Sequence, residues 1–171
     1  YMDQARFLEI DIHQGIENTL KIMHHKLKMG VIVRREYASD LPKICAYPGE
    51  VNQVWTNLID NAIDAMDGKG TLTIRTAACE GCIEVEISDT GKGIPENIRS
   101  RIFEPFFTTK AQGKGTGLGL DITYRIAVLR HNGSIQVKSV PGHTTFCVRL
   151  PLEPQRVLGT MAQTRADKLA K

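Results

Sequence analysis

The sequence predicts a single mixed domain of the α/β (α+β) class, and three observations predict it. With 171 residues, 42% of them hydrophobic, the chain suffices for one domain with a real core and is too short for two. Two runs of period two, TLTIRTAA at 71–78 and a second at 82–88, face each other across Glu80-Gly81 and read as an antiparallel hairpin. Elsewhere, apolar residues recur at helical spacing in three separate stretches.

In chain order, residues 9–12 read as a short strand, and Ile16, Leu20, Met23 and Leu27 then mark one helix of about four turns that Gly30 ends. VIVRREY at 31–37 and a short run around Ile44 read as strands. Pro48 suits the first turn of a helix, since its missing N–H is one the helix leaves unpaired anyway. Behind it Val51, Val54, Trp55, Leu58, Ile59, Ala62, Ile63 and Met66 trace one broad apolar face, which Asp67 and Gly68 close. After the hairpin, the stretch from Asp89 to about residue 117 is rich in loops, and long irregular segments inside a compact domain are commonly functional or disordered. Leu118, Ile122, Ile126 and Leu129 predict a helix that HNG at 131–133 terminates, with His131 capping its end, and SIQVKSV and TTFCVRL complete the strands. The expected organisation is an upstream helical segment or linker over 1–8, the domain over 9–151 and a flexible tail over 152–171. The opening residues read as the middle of something, a piece of a longer chain.

Composition excludes several functions. Net charge is +3, with Lys and Arg scattered rather than blocked, which argues against a nucleic-acid surface. No apolar run approaches the roughly 20 residues of a membrane helix and no secretory signal stands at the start, so a cytoplasmic segment without membrane contact is expected. Cys79 and Cys82 bracket the hairpin loop, whereas Cys45 and Cys147 are isolated, so a zinc site lacks ligands. A plain turn with reduced thiols is the expectation there, with a redox or metal role as the alternative.

Chemistry concentrates in three places. On the helix from 48 to 67, Glu50, Gln53, Asn57, Asn61 and Asp64 follow spacings of three and four and form one stripe opposite the core. A merely wet face usually carries Lys and Glu, because short amides compete with helical hydrogen bonds. An amide oxygen is instead a hard neutral ligand suited to Mg²⁺ shared with phosphates. In GKGTGLGL, Gly113, Gly115, Gly117 and Gly119 lie before and inside the start of a helix, where free N–H groups attract phosphate; a flexible linker is the competing reading. The P-loop and dinucleotide patterns are both absent. In DTGKGIP, Asp89 ends a strand and can accept a hydrogen bond from the exocyclic amine of adenine, with Gly91 and Gly93 leaving room for the ring; an ordinary Asp-Gly turn is the alternative.

Together these residues resemble the ATP-binding catalytic domain of sensor histidine kinases, within the GHKL superfamily. NLIDNAIDAM is similar to its N box, DTGKGIP to its first glycine box, FEPFFTTK to its F box and GTGLGL to its second glycine box, in the family's order over residues 9–151. The resemblance implies a two-layer sandwich of a mixed, largely antiparallel sheet and helices, with ATP beneath a mobile lid. It implies that Asn61 ligates Mg²⁺, that Asn57 steadies the phosphates and that Asp89, with Gly91, Gly93 and Ile94, surrounds adenine. Gly115, Gly117 and Gly119 would hold the triphosphate, joined by Asp64, Lys110, Lys114, Thr116 and Leu118, while Phe103, Phe106 and Phe107 hinge and pack the lid. Thr145 would touch the adenine side, although His143 departs from the usual Gly-Thr and leaves Thr144 in contention.

ATPases of the superfamily resemble this helix but carry glutamate where Asn57 stands. An amide cannot take a proton at neutral pH, so two amides suit a site that holds Mg·ATP without activating water. Phosphoryl transfer then needs positioning and charge neutralisation. None of His13, His24, His25, His131 or His143 has the family's phosphoacceptor context. The expected partners are therefore a phosphoacceptor helical domain of the same parent protein and a downstream response regulator. A non-catalytic ATP sensor, an ATP hydrolase and a serine kinase of the anti-sigma type are the competing readings, the last two disfavoured by Asn57.

Overall fold

The structure, a computed structural model, describes residues 7–111 and 115–153. Strand β1 (Leu8–Ile10) leads into helix α1 (Ile12–Ile22), and the short α2 (His24–Leu27) follows. Asp11 makes this transition: its carboxylate accepts the N–H groups of His13 at 2.8 Å and Gln14 at 3.4 Å, capping α1. The strand expected over 9–12 therefore ends early, and Ile12 enters the core as a helical residue, 1% exposed. The single helix expected to Leu27 is divided at Met23, a break that leaves both Met23 and Leu27 buried. Phe7 packs edge-on against Tyr47 with ring centroids 4.6 Å apart, so Phe7 and Leu8 belong with the domain rather than with the segment expected over 1–8. At the other end, Leu152 is bonded to Gly81 and Cys45 and partly buried, so it too lies within the domain and not in the tail expected over 152–171. The remainder of both expected terminal segments, 1–6 and 154–171, lies outside the described residues.

Strands β2 (Val31–Glu36), β4 (Gly70–Cys79), β5 (Cys82–Asp89), β6 (Ser134–Val140) and β7 (His143–Pro151) form one sheet in the order β2-β4-β5-β7-β6. Only the β2–β4 pair is parallel; the other three are antiparallel. The short β3 (Ile44–Ala46) pairs with β1 outside this sheet.

Alternation decides which side of the sheet is covered. Leu72 and Ile74 of β4, Ile83, Val85 and Ile87 of β5, and Phe146, Val148 and Leu150 of β7 are all buried on one face. Arg75, Glu84, Glu86 and Arg149 take the other, where Arg149 pairs with Glu84, and Arg75 with Glu36 and Glu86. Such exposed pairs contribute at most about 1 kcal/mol each, so the apolar face sets the register.

Helix α3 (Pro48–Ala65) lies across the covered face with α1 on one flank. Its Val51, Val54, Trp55, Leu58, Ile59, Ala62 and Ile63 are buried, as the sequence predicts. Gly15 allows α1 to approach: a Cβ there would come within 2.6 Å of Asn52 Oδ1. On the other flank are α5 (Gly119–Tyr124) and a π-helical segment, Arg125–Arg130, with the single-turn α4 (Glu96–Arg99) in the preceding loop.

The stripe expected on this last helix is not preserved. Ile126 is buried, but Leu129 is 64% exposed and Ile122 is exposed as well, while Asp121, Thr123 and Ala127 are buried. The π turn, with its i→i+5 bonds, rotates the side chains away from a 3.6-residue repeat. His131 then closes the segment: its Nδ1 bonds the Ile126 carbonyl at 2.8 Å and its Nε2 lies 3.2 Å from the Tyr47 N–H. The cap therefore works through two hydrogen bonds, one to each ring nitrogen.

Candidate nucleotide site

The amide stripe of α3 faces α5. Asn57 Nδ2 donates to the Gly119 carbonyl at 2.9 Å and approaches Thr123 Oγ1 at 3.4 Å, while its Oδ1 accepts Gln53 Nε2 at 2.8 Å. Both arms are thus engaged, and the amide fastens the start of α5 to α3. Nothing in the local sequence marks Thr123 as a partner, because the bond spans two helices far apart in the chain.

One turn further, Asn61 Oδ1 accepts Lys110 Nζ at 3.4 Å, and the same ammonium forms an ion pair with Asp64. Two oxygens one turn apart therefore already draw a cation from the loop beyond α4. The pairing of a neutral amide oxygen with a carboxylate suits a hard divalent ion such as Mg²⁺ equally well.

At the end of β5, Asp89 is 3% exposed and its Oδ1 accepts the Gly91 N–H at 2.8 Å. Burial raises its pKa, a shift that the Gly91 hydrogen bond and then the nearby His143 oppose. The other oxygen retains its capacity to accept. The loop after it is stitched to two elements: Lys92 N–H bonds the Ala65 carbonyl at 3.1 Å, and Ile94 N–H bonds Ser139 Oγ at 2.8 Å. Gly91 runs so close to the end of α3 that a Cβ would sit 2.5 Å from the Ala65 oxygen, and Gly93 follows against Val140.

Thr144, not Thr145, shares the face of Asp89. The two are register partners, Thr144 is 2% exposed, and its hydroxyl lies 2.7 Å from Ser139 Oγ, the group that holds Ile94. Thr145 points the other way, 2.8 Å from Ser88 Oγ, where it lines an open depression on the outer face with Glu86 and His143. Strand parity thus places Thr145, expected beside Asp89, on the opposite face of the sheet from it.

In the F-box stretch, Phe103 packs partly on the core and toward Tyr124, with centroids 5.9 Å apart. Phe107 is also partly buried, under the Arg101 guanidinium at 4.7 Å. Phe106 instead projects outward, 75% exposed, with φ of 64°. Beneath it Gly117 adopts φ of 69°, and a Cβ there would fall 2.4 Å from the Phe106 carbonyl carbon. Gly115 lies beside Thr108 and Lys110. Thr116 is exposed and its hydroxyl accepts the Leu118 N–H at 3.3 Å, so Leu118 leads into α5. Gly119 faces Asn57 with ordinary clearance. Lys114 and Gly113 lie outside the described residues.

These groups border one region between the C-terminal half of α3, the end of β5 and the start of α5. A family model described as histidine kinase-, DNA gyrase B-, and HSP90-like ATPase matches residues 47–154, which contain all of them. The chain belongs to this family. Within it, this domain is an ATP-binding catalytic domain of the sensor histidine kinase type.

The sensory histidine kinase/phosphatase NtrB of Vibrio alginolyticus is 32% identical over 83% of this chain and 43% of its own length. The domain thus spans less than half of that relative. The catalytic domain of histidine kinase ThkA superposes with a TM-score of 0.80 at 31% identity, covering 87% of this chain and 97% of that one. A structure of histidine kinase ThkA in complex with the response regulator protein TrrA matches at 26% identity and a TM-score of 0.76, over 88% of this chain and 43% of that one. These solved folds agree with the two-layer sandwich expected for a histidine kinase domain.

Proposed function

We propose that this domain binds Mg·ATP and presents its γ-phosphate to a histidine on a separate phosphoacceptor helical domain of the same parent protein, from which a response regulator is then served. The observation that carries the reading is Asn57. Its amide is hydrogen-bonded on both arms and offers no base for water, so the site is built to hold a triphosphate without hydrolysing it. Asp64, the carboxylate one helical turn away from Asn61, is tied to Lys110.

In this reading Asp89 and Thr144 meet the adenine side, Gly91 to Ile94 frame it, and the loop from Lys110 through Gly115, Thr116, Gly117, Leu118 and Gly119 receives the phosphates. Asn61, with Asp64 beside it, would hold Mg²⁺, whose part is to neutralise charge on the phosphates. Lys110 must then leave Asn61 and Asp64, which frees its ammonium for the phosphate chain. Support for the partner comes from ThkA, solved with its response regulator. A cytoplasmic position accords with the absence, among the described residues, of any helix long and apolar enough to cross a membrane.

The test is to incubate the domain with γ-labelled Mg·ATP, alone and with the upstream helical segment. We expect acid-labile phosphohistidine only in the mixture, with very slow release of inorganic phosphate by the domain alone. Rapid turnover by the domain alone would overturn the kinase reading in favour of a hydrolase.

A further inference from the structure

We propose that Cys79 and Cys82 form a reversible thiol–disulfide modification site that sets how firmly the chain is held where it leaves the sheet. The two are register partners at the closed end of the β4–β5 hairpin, with Cα atoms 4.9 Å apart and a disulfide joining them. This corrects the expectation of a plain turn with reduced thiols. The separation lies inside the roughly 4.4–6.8 Å that disulfides span, so the bond forms and breaks without carrying the strands apart. Both cysteines are half-buried and Glu80 and Gly81 between them are exposed, which leaves the sulfurs within reach of a small disulfide. The chain's other cysteines, Cys45 and Cys147, are free. Burial first, and then Glu84 beside it, push the Cys147 thiol up to about 11, so it ionises little and competes poorly.

What makes the hairpin tip more than a staple is the bond it carries. Gly81 lies inside the ring that the disulfide closes, and its carbonyl accepts the Leu152 N–H at 3.0 Å. The Leu152 carbonyl accepts the Cys45 N–H at 2.9 Å, and Cys82 is the register partner of Pro151. The chain's exit from β7 is therefore clamped between the hairpin tip and β3. Closing the ring removes conformational freedom from the Glu80-Gly81 turn whenever Leu152 is released, which keeps the Gly81 carbonyl in place for recapture. Asp89 stands at the opposite end of the eight-residue β5, about 23 Å along the strand. Oxidation thus acts on the outlet and leaves the adenine end alone, and the inference stands independently of the kinase reading.

The chemistry is exchange with a low-molecular-weight disulfide such as glutathione disulfide. One protein thiolate attacks a glutathione sulfur, a mixed disulfide forms and the first glutathione thiolate leaves. The second protein thiolate then displaces the other glutathione. In all, the protein gives up two electrons and two protons, and glutathione disulfide is reduced to two thiols. Excess glutathione runs the same steps backward.

The test titrates the whole chain with mixtures of glutathione and its disulfide, traps free thiols by alkylation, and measures intact mass and peptide map. A monomer that takes up two alkyl groups instead of four and lacks two further hydrogens, bonded between Cys79 and Cys82 and restored by excess glutathione, is expected. Cys79→Ser should instead gain one glutathione on Cys82. Hydrogen exchange at the Leu152 amide should be several-fold slower in the oxidised chain, with Ser88 and Asp89 unchanged. The double variant Cys79→Ser/Cys82→Ser, verified as folded by circular dichroism, should exchange at Leu152 like the reduced chain whatever the glutathione ratio. Persistent alkylation of both thiols under excess disulfide, or bonding through Cys45 or between chains, would overturn the site. Equal exchange at Leu152 in both redox states would overturn the coupling.

Discussion

Asp89→Asn should move stability and nucleotide recognition in opposite directions. The asparagine keeps an oxygen for the Gly91 N–H, now accepted by Asp89 at 2.8 Å, and it fits the same space at 3% exposure. What it removes is a buried charge. Because burial raises the carboxyl pKa above its ordinary value, ionised Asp89 is a cost to folding. The sign follows: the cost is absent at pH below the ordinary carboxylate value, grows as pH rises through the raised folded value, and is complete above it. The variant should therefore be more stable than the parent at neutral pH, and the two should converge on acidification. Binding goes the other way, since the amide's second arm presents N–H groups to the adenine amine. A buried donor facing a donor costs about 1–3 kcal/mol, or roughly 5- to 150-fold in affinity. Urea unfolding from pH 4 to 8 reads the first effect, and calorimetric titration with ATP and GTP reads the second. A variant less stable at neutral pH would refute the desolvation argument; an unchanged ratio of ATP to GTP affinity would refute the adenine contact.

Asn57→Asp turns the donor facing the Gly119 carbonyl into a second acceptor, and should cost about 1–3 kcal/mol in urea unfolding even without nucleotide. A neutral result would mean that the amide does not anchor α5. With φ of 69° and Phe106 backbone 2.4 Å from any Cβ, Gly117→Ala should cost about 1–2 kcal/mol for the backbone alone, and more for the displaced Phe106, measured as a fall in melting temperature together with weaker ATP binding. If ATP affinity is kept, the second glycine box does not shape the phosphate site. Asn61→Ala should weaken ATP binding far more with Mg²⁺ present than with the metal chelated, by calorimetry; equal losses would rule out the ligand role.

Much of this arrangement is legible in the sequence because its causes are local. Alternation in 71–78 and 82–88 gives the hairpin, and the apolar spacing from Val51 to Met66 gives the buried face of α3 and hence the opposite stripe with Asn57 and Asn61. The places where sequence and structure part are those set by distant partners or by parity. Asp11 ends a strand early through one carboxylate, and a one-residue difference in register separates Thr144 beside Asp89 from Thr145 on the outer face. Asp121 and Thr123 are buried in α5 while Ile122 and Leu129 are exposed, and the helix then continues as a π turn, which no 3.6-residue repeat reveals. Lys110 reaches Asn61 and Asp64 across a loop, and only folding brings them together.

His131 has a mechanical consequence for that loop. By accepting from Tyr47 at the start of α3 and donating to Ile126, it rivets the front of one helix to the back of another, while Asn57 rivets the middle of α3 to the front of α5. The two helices form a triangulated frame with no joint between them. At its near end the loop is fastened to the same frame, through Lys92 at the Ala65 carbonyl. Both flanks of the stretch from Lys92, bonded at the end of α3, to Gly119, at the start of α5, are therefore held by one frame, like the abutments of a bridge. If the nucleotide binds as proposed, it cannot draw these abutments together, so any change of shape on binding would have to come from torsions between them.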